Sequence, residues 1–201
     1  MESSELQKSM FKSESDQSHY MIPLMLDLST SRILVIGTGA VGQRKAEYFA
    51  GQCKEIVLSD TAPEDISGFD IIIAATASAG ENERICLAAA SQNKLYNSAT
   101  GIGNFLIPAA VFEENYTLAV STNGKAPAAA AYLRDKIETD LPSFSKMVEL
   151  QEILRAELKN SVHEQKRRAE ILRAVLRDDS VWKALDSDDF DAALNLARGN
   201  I

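Results

Sequence analysis

Residues 31–50 read SRILVIGTGAVGQRKAEYFA, and this stretch decides the fold. An apolar run, Ile33 to Ile36, enters a glycine turn, GTGAVG over residues 37–42, and helix-favouring residues follow from Arg44 to Ala50. A continuous apolar run that ends in glycine is typical of a strand buried on both faces of a parallel sheet. The stretch therefore predicts a strand, a tight turn and a helix in succession.

The glycine turn is a G-x-G-x-x-G motif in the position where many proteins hold a dinucleotide. The first glycine permits the tight turn, the second lets a pyrophosphate approach the backbone, and the third allows close packing of helix on strand. The helix N-terminus adds free N–H groups for a phosphate. The cofactor-binding residues predicted from this motif are Gly37, Gly39, Ala40, Val41 and Gly42. A turn retained only for packing is the alternative.

An acidic residue follows the next strand, which is predicted over Glu55 to Ser59 and ends at Asp60. A carboxylate in this place can hydrogen-bond the ribose hydroxyls of NAD and repel the extra phosphate of NADP. We therefore predict NAD as the cofactor. Thr61 and Thr76, which follow the second and third predicted strands, complete the predicted cofactor-binding residues.

Strand and helix patterns alternate along the following residues. DIIIAAT, residues 70–76, predicts the third strand, and Ser78 with Glu81 predicts a capping box that opens a helix through Gln92. KLYNSA (94–99) and TLAVST (117–122) favour further strands. The alternation predicts an α/β fold with a Rossmann-like parallel sheet. The link after Asp60 is too short for the usual strand and helix, so we expect a sheet shortened after the second strand.

The composition changes after Pro127, where the sequence becomes helical. APAAAAYLRDKIETDL favours a helix that stops at Pro142, and later apolar residues recur at helical spacing. We predict four parts: a disordered tail (1–19), an NAD-binding Rossmann domain (20–115), a segment that contains the alanine-rich helix (116–142) and a C-terminal helical domain (143–201).

Composition and charge exclude several classes of function. The chain has 201 residues, a net charge of −8 and a pI near 4.9, which argues against a nucleic-acid partner because such partners favour a basic face. It has neither the long apolar run of a membrane helix nor the apolar core of a signal peptide. Cys53 and Cys86 lack CxxC spacing and are expected to be buried free thiols in a reducing cytoplasm.

Two blocks of the sequence resemble one family. PLMLDLSTSRILVIGTGAVGQRKAEYF (23–49) has the family's opening segment and a glycine turn followed by Val-x-x-Arg-Lys. NFLIPAAVFEENYTLAVSTNGKAPAAAAYLRDKIETDLP (104–142) resembles its Phe-x-x-Pro motif, its Gly-Lys loop and its Leu-Arg-x-Lys helix. The chain thus resembles the siroheme synthase N-terminal family, the NAD-dependent precorrin-2 dehydrogenases, some of which are also sirohydrochlorin ferrochelatases.

This resemblance implies a tetrapyrrole substrate, precorrin-2, which is oxidised to sirohydrochlorin. It also implies that residues 116–142 are a dimerisation segment, with a homodimer formed through the alanine-rich helix. The alternative for that helix is packing within its own chain. The substrate is a polycarboxylate, so cations are candidates to bind it. The predicted substrate-binding residues are Asn104, Ser121, Lys125 and Arg134, and Arg44, Lys45 and Lys136 are further candidate cations, although each cation could equally be a solvated surface residue.

The chain also departs from the family pattern. An aspartate thought to perform acid–base chemistry is replaced by Thr100, which we take as the catalytic position, and the serine of the Gly-Lys loop is Ala126. A threonine hydroxyl cannot exchange protons as a carboxylate does. Two hypotheses therefore stay open: a working dehydrogenase, or a non-catalytic tetrapyrrole- or nucleotide-binding paralogue. An acid from another loop, for instance Glu113 or Glu114, would favour the enzyme.

Metal chemistry is not favoured by the sequence. His19 and His163 have no metal-ligand spacing, so we predict no metal site, and we consider chelatase activity weaker than dehydrogenase activity. The methyltransferase domain that is fused to some relatives is not expected in a chain of this length.

Overall fold

The computed structural model describes residues 21–101 and 103–199, and it divides into a unit that ends at Ile107 and a unit that begins at Pro108. The tail predicted over residues 1–19, with His19, lies outside the described residues. The first unit contains β1 (Arg32–Ile36), α1 (Ala40–Phe49), β2 (Glu55–Ser59), β3 (Ile71–Ala74), α2 (Ala79–Ser91) and β4 (Leu95–Ser98). The second contains β5 (Ala109–Phe112), β6 (Thr117–Val120), α3 (Pro127–Asp140), α4 (Phe144–Ser161), α5 (Gln165–Val175), α6 (Asp179–Asp186) and α7 (Phe190–Arg198).

The first unit is built on a parallel sheet with the strand order β2-β1-β3-β4, which confirms the predicted α/β fold. The chain passes from β1 through α1 to β2 on one side, and then returns to β3 on the other side of β1. This reversal of direction creates a switch point at the carboxyl ends of β1 and β3, which is where open α/β sheets bind their ligands.

Both faces of the sheet are covered because neighbouring residues of a strand point to opposite sides. Ile33 and Val35 pack with Phe49 of α1, whereas Leu34 and Ile36 pack with residues of α2, including Ile85. These four apolar residues of β1 are almost fully buried. The continuous apolar run therefore forms a central strand, as the sequence predicts.

The link over residues 60–70 contains no helix or strand, in agreement with the predicted shortening. Its apolar residues still contribute to the core, since Ile66 is buried against the α2 side of the sheet and Phe69 packs there too. Asp70 accepts a hydrogen bond from the backbone N–H of Arg32 at 2.8 Å, and this bond fastens the link to the start of β1. The sheet consequently ends at β2 on this side.

The second unit opens with a β-hairpin that the sequence did not predict as such. The segment around β6 was expected to continue the parallel alternation, but β6 pairs antiparallel with β5 in a separate two-stranded sheet. The reason is the tight turn over residues 113–116, because a short turn can join only antiparallel strands. The first unit consequently ends at Ile107, before β5, whereas the sequence placed the domain boundary at residue 115.

Helices complete the second unit. α3 has Pro127 in its first turn, packs against both hairpin strands and ends before Pro142. α4 to α7 enclose an apolar core to which Met147, Leu150 and Leu154 of α4 contribute. They belong to the apolar residues after Pro142 that recur at helical spacing. The dimerisation and helical domains predicted over 116–142 and 143–201 both lie in this one compact unit.

Candidate functional site

The glycine turn connects β1 to α1 with almost no free space at two of its three glycines. Gly37 has φ +114°, and a Cβ added there would lie 2.3 Å from the carbonyl oxygen of Ala75. A Cβ on Gly42 would lie 1.8 Å from the carbonyl oxygen of Gly37. A Cβ on Gly39, by contrast, would meet nothing within 4 Å. The first and third glycines therefore serve packing, and the second leaves open space above the turn.

The amino terminus of α1 faces this space with unused hydrogen-bond donors. Gly39 is the N-cap and supplies no side chain, and the intrahelical ladder begins with the N–H of Gln43 bonded to the carbonyl of Gly39 at 3.0 Å. The N–H groups of Ala40, Val41 and Gly42 precede that bond and have no acceptor within the helix. Such a terminus with open space before it fits a pyrophosphate.

Asp60 lies at the carboxyl end of β2, beside the same turn. The hydroxyl of Thr38 donates a hydrogen bond to its carboxylate, and this bond fixes the acid next to the glycine turn. Asp60 and Thr61 are exposed, and the carbonyl of Thr61 accepts a hydrogen bond from the Ser59 hydroxyl at 2.7 Å. The structure thus brings Asp60 together with the glycine turn, as a ribose-binding acid requires.

The buried side chain of Asn82 connects the segments that follow β3 and β4. Asn82 of α2 is 0% exposed, and its Oδ1 accepts hydrogen bonds from the backbone N–H of Thr76 (2.9 Å) and from the Thr76 hydroxyl (2.8 Å). Its Nδ2 donates to the carbonyl of Thr76 (3.1 Å) and to Oγ1 of Thr100 (3.0 Å). Asn82 therefore holds the segments after β3 and β4 in one arrangement, which sequence reasoning did not find.

Replacing Asn82 by alanine should lower the free energy of unfolding by about 2 kcal/mol, because the Thr76 N–H loses its acceptor. Urea unfolding measures this change. Arg84→Ala, an exposed position on the same helix, is the matched control and should change stability by less than about 0.5 kcal/mol. Equal midpoints for the two variants would contradict the role that we assign to Asn82.

Lys45 extends from α1 to the end of β4 instead of into solvent. Its Nζ donates to Oδ1 of buried Asn97, whose Nδ2 donates to the carbonyl of Phe105 at 3.0 Å. Burial, with a smaller contribution from the charge of Arg44, lowers the pKa of Lys45. Lys45 therefore positions a strand end, and Arg44 stays exposed on the surface of α1.

Asn104, predicted to bind substrate, covers the edge of the sheet. Its Oδ1 accepts from the N–H of Tyr96 at 2.7 Å, and its Nδ2 donates to the carbonyl of Lys94 at 2.9 Å. Its own N–H donates to the carbonyl of Tyr96 at 3.0 Å. The side-chain amide of Asn104 is thus used to pair the exposed side of β4.

The remaining predicted substrate-binding residues lie in the second unit. Ser121 accepts a hydrogen bond from the N–H of Asn123 at 3.1 Å, in the exposed loop that also carries Lys125. Arg134 on α3 forms ion pairs with Asp135 and with Glu138, the latter at 3.8 Å. Lys136 is likewise paired with Asp140. Lys125 has no ion-pair partner among the described residues.

A cavity of about 440 Å³ lies beside Thr100 in the first unit. Its lining residues come from α2, from β4 and from the loop that follows β4: Ala79, Gly80, Glu83, Cys86, Leu87, Tyr96, Ser98, Thr100 and Gly101. The sequence identified Thr100 but gave no signal for Glu83. Burial raises the pKa of the Cys86 thiol, an effect that a hydrogen bond with Ser98 partly opposes.

Residues 21–101 and 103–199 contain neither a cluster of metal ligands nor a membrane-spanning helix. No group of three or more His, Cys, Asp or Glu side chains there could hold a metal ion. None of the helices in that part of the chain is long and apolar enough to cross a membrane.

Two family models match the chain. One describes an NAD(P)-binding family and matches residues 24–109, a range that includes the glycine turn, Asp60 and Thr100. The other describes the central part of sirohaem biosynthesis proteins and matches residues 117–139, which form β6 and most of α3.

Whole proteins also match. A precorrin-2 dehydrogenase of Methanosarcina barkeri is 32% identical over 90% of this chain and 93% of its own length. Siroheme synthase 1 of Pectobacterium atrosepticum is 30% identical over 71% of this chain but only 35% of its own length, so the chain spans about a third of that longer protein. The solved structure of SirC, a precorrin-2 dehydrogenase, shares the fold with a TM-score of 0.66 at 20% identity, covering 89% of this chain and 100% of that one.

Proposed function

The chain belongs to the siroheme synthase N-terminal family, and on this premise we propose that it is an NAD-dependent precorrin-2 dehydrogenase, which oxidises precorrin-2 to sirohydrochlorin. One observation carries the proposal. The glycine turn, Asp60 and the hydrogen-bonded residues Thr76, Asn82 and Thr100 all lie at the carboxyl ends of the four parallel strands. NAD, when bound, supplies the acceptor for two electrons and one hydrogen.

The residues that would hold NAD have separate tasks. The free N–H groups at the start of α1 bind the pyrophosphate, and the open side of Gly39 lets it approach the backbone. Asp60 accepts hydrogen bonds from the adenosine ribose, with its orientation fixed by Thr38. Thr61 borders the ribose, and Thr76 lines the crevice at the switch point. The N–H groups at the start of α1 that have no acceptor within the helix, and the open space above Gly39, support this assignment.

Thr100 positions the substrate in this proposal and does not act as a base. Its Oγ1 already accepts a hydrogen bond from Asn82, so its own hydrogen is free to be donated. A substrate carboxylate or a water molecule is a suitable acceptor. The proton that the oxidation releases must go elsewhere, because a threonine hydroxyl is not a base near neutral pH.

Cations are assigned to the carboxylates of the substrate. Lys125 and Arg44 have no ion-pair partner among the described residues and are exposed, which supports this role. Arg134 would have to exchange Asp135 and Glu138 for a substrate carboxylate. Ser121 lies in the same loop as Lys125 and stays a proposed substrate-binding residue. Asn104 stays in the proposal too, although its side-chain amide is bonded to the edge of β4.

A non-catalytic paralogue is the second candidate function. The observation that favours it is Thr100 itself, which stands where the family pattern has an aspartate. Such a protein would bind NAD or a tetrapyrrole without turnover. An assay of the wild-type protein separates the two candidates.

That assay supplies precorrin-2 and NAD and follows sirohydrochlorin and NADH by absorbance. We expect both products in equal amounts, and no iron insertion when Fe²⁺ is added, since position 100 lacks the carboxylate that the family is thought to use for chelation. Tight NAD binding without product would favour the non-catalytic paralogue instead.

We also propose a homodimer formed through α3. Ala130 is the buried residue of this helix, whereas Tyr132 and Leu133 are 69% and 47% exposed, and the neighbouring alanines allow a close approach of a second copy. Light scattering at micromolar concentration should give twice the chain mass of 21.9 kDa. A mass of 21.9 kDa would overturn the dimer.

The free thiols of Cys53 and Cys86 support a cytoplasmic location.

A further inference from the structure

We propose that Glu83 is the acid–base residue of this protein and takes the role for which Thr100 is unsuited. The inference rests on the proposed dehydrogenase function. Oxidation to a more conjugated tetrapyrrole removes a hydrogen with two electrons and also a proton, and the proton needs an acceptor in the site.

The cavity beside Thr100 is built so that α2 and β4 face each other across it. The α2 residues that line it, from Ala79 through Glu83 to Leu87, recur one turn apart and lie on one side of the helix. Tyr96 and Ser98 alternate along β4 and lie on one side of the sheet, and Thr100 follows in the loop after the strand. Glu83 and Thr100 therefore line the same space from its two walls.

Glu83 supplies the carboxylate of this cavity. The other polar side chains that line it in the described part of the chain are the hydroxyls of Tyr96, Ser98 and Thr100 and the thiol of Cys86. Burial raises the pKa of Cys86 and keeps this thiol protonated. Ser98 is also engaged, since its Oγ accepts from the N–H of Thr100 at 3.2 Å.

The Glu83 carboxylate is also not engaged by an opposite charge within the described residues. Its neighbour Glu81 forms an ion pair with Arg84 at 3.3 Å, but Glu83 has no ion-pair partner among the described residues. Lys94, between α2 and β4, is engaged elsewhere, since its Nζ donates to the carbonyls of Ser67 and Phe69. Glu113 and Glu114, considered from the sequence, lie instead in the hairpin turn of the second unit.

NAD, if held at the glycine turn, would supply the acceptor for two electrons and one hydrogen of the substrate. A second C–H or N–H bond of the substrate breaks, its electron pair stays in the new double bond of the product, and the proton forms an O–H bond with Oε of Glu83. The proton then passes to solvent, because Glu83 is exposed.

The test compares Glu83→Gln with Glu81→Gln, a matched loss of one carboxylate on the same helix outside the cavity. We expect Glu83→Gln to lower kcat about a hundredfold with unchanged KM for NAD, and Glu81→Gln to behave as wild type. Glu83→Asp should keep part of the activity. Adding Thr100→Asp to Glu83→Gln should restore turnover, since it returns a carboxylate to the other wall of the same cavity.

A second readout does not depend on turnover. A polycarboxylate bound beside a carboxylate favours its protonated form, so sirohydrochlorin binding near pH 6 should take up protons. Calorimetry in two buffers of different ionisation enthalpy counts them, and we expect a smaller uptake for Glu83→Gln than for Glu81→Gln. Melting temperature and NAD binding establish that each variant is folded.

Three results would count against the proposal. Wild-type kcat and wild-type proton uptake in Glu83→Gln would overturn the role of Glu83 and leave the dehydrogenase function standing. A loss of activity that neither Glu83→Asp nor the added Thr100→Asp relieves would show a structural role and overturn it as well. A wild-type protein that makes no sirohydrochlorin would overturn the proposed function, and this inference with it.

Discussion

Replacing Gly42 by alanine is expected to lower the free energy of unfolding by about 3 kcal/mol and to abolish NAD binding. A Cβ at this position would lie 1.8 Å from the carbonyl oxygen of Gly37 and 2.9 Å from its carbonyl carbon. These atoms belong to the backbone of the turn, so the clash cannot be relieved by rotating a side chain. α1 would have to move away from β1, and its N–H groups would leave the phosphate site.

Gly39→Ala is the matched control for that experiment, and its outcome should be the reverse. Gly39 has φ −68° and ψ 173°, which alanine adopts without strain, and its Cβ would meet no protein atom within 4 Å. Stability should change by less than about 0.5 kcal/mol. NAD affinity should still fall at least about tenfold, because the methyl group fills the space through which the pyrophosphate approaches the backbone.

Urea unfolding and calorimetric NAD titration, applied to both variants, separate the two kinds of glycine. A Gly42→Ala variant with wild-type stability would contradict the close contact of α1 with the turn. Wild-type NAD affinity in Gly39→Ala would place the pyrophosphate elsewhere and would favour a turn retained only for packing.

Asp60→Ala is expected to weaken NAD binding by about ten- to a hundredfold and to reduce the preference for NAD over NADP by a similar factor. A hydrogen bond to a charged group contributes about 1.5–3 kcal/mol, and 1.4 kcal/mol corresponds to a factor of ten in affinity. The wild-type protein should bind NAD more tightly than NADP, since the carboxylate repels the phosphate on the ribose.

Asp65→Ala provides the control for Asp60, since it removes the same charge from the same link. Asp65 accepts hydrogen bonds from the N–H and hydroxyl of Ser67, at 2.7 and 2.9 Å, and does not lie at a strand end. It should leave both cofactor affinities unchanged. NADP binding as tight as NAD binding in the wild type would refute the role of Asp60.

The strand–turn–helix that forms the cofactor site could be predicted because its signals are local. The apolar run of β1 and the glycines act within a few residues of one another, and Ser78 caps α2 through the N–H of Glu81 at 3.3 Å. The turn residues and Asp60 lie together because neighbouring parallel strands end at one edge of their sheet. The beginning of α1 at Ala40, ahead of the helix-favouring residues from Arg44, follows from that turn.

The hairpin and the roles of several side chains could not be predicted from local sequence signals. β5 and β6 were separable from the parallel sheet only once their antiparallel pairing was seen. Lys45 was a candidate substrate-binding cation until its Nζ was found at Asn97, and Asn104 has its amide on the edge of β4. Each of these depends on a partner far along the chain.

The sequence by itself determined the fold class, the glycine turn, the acid at the end of β2 and the family, because these depend on residue types at fixed local spacing. Only the tertiary structure decided that Asn82 connects Thr76 to Thr100 and that Glu83 shares a cavity with Thr100. The physical reason is that a hydrogen bond or a shared cavity requires two elements to pack side by side. That packing is set by the burial of the whole sheet and not by the residues that the packing brings together.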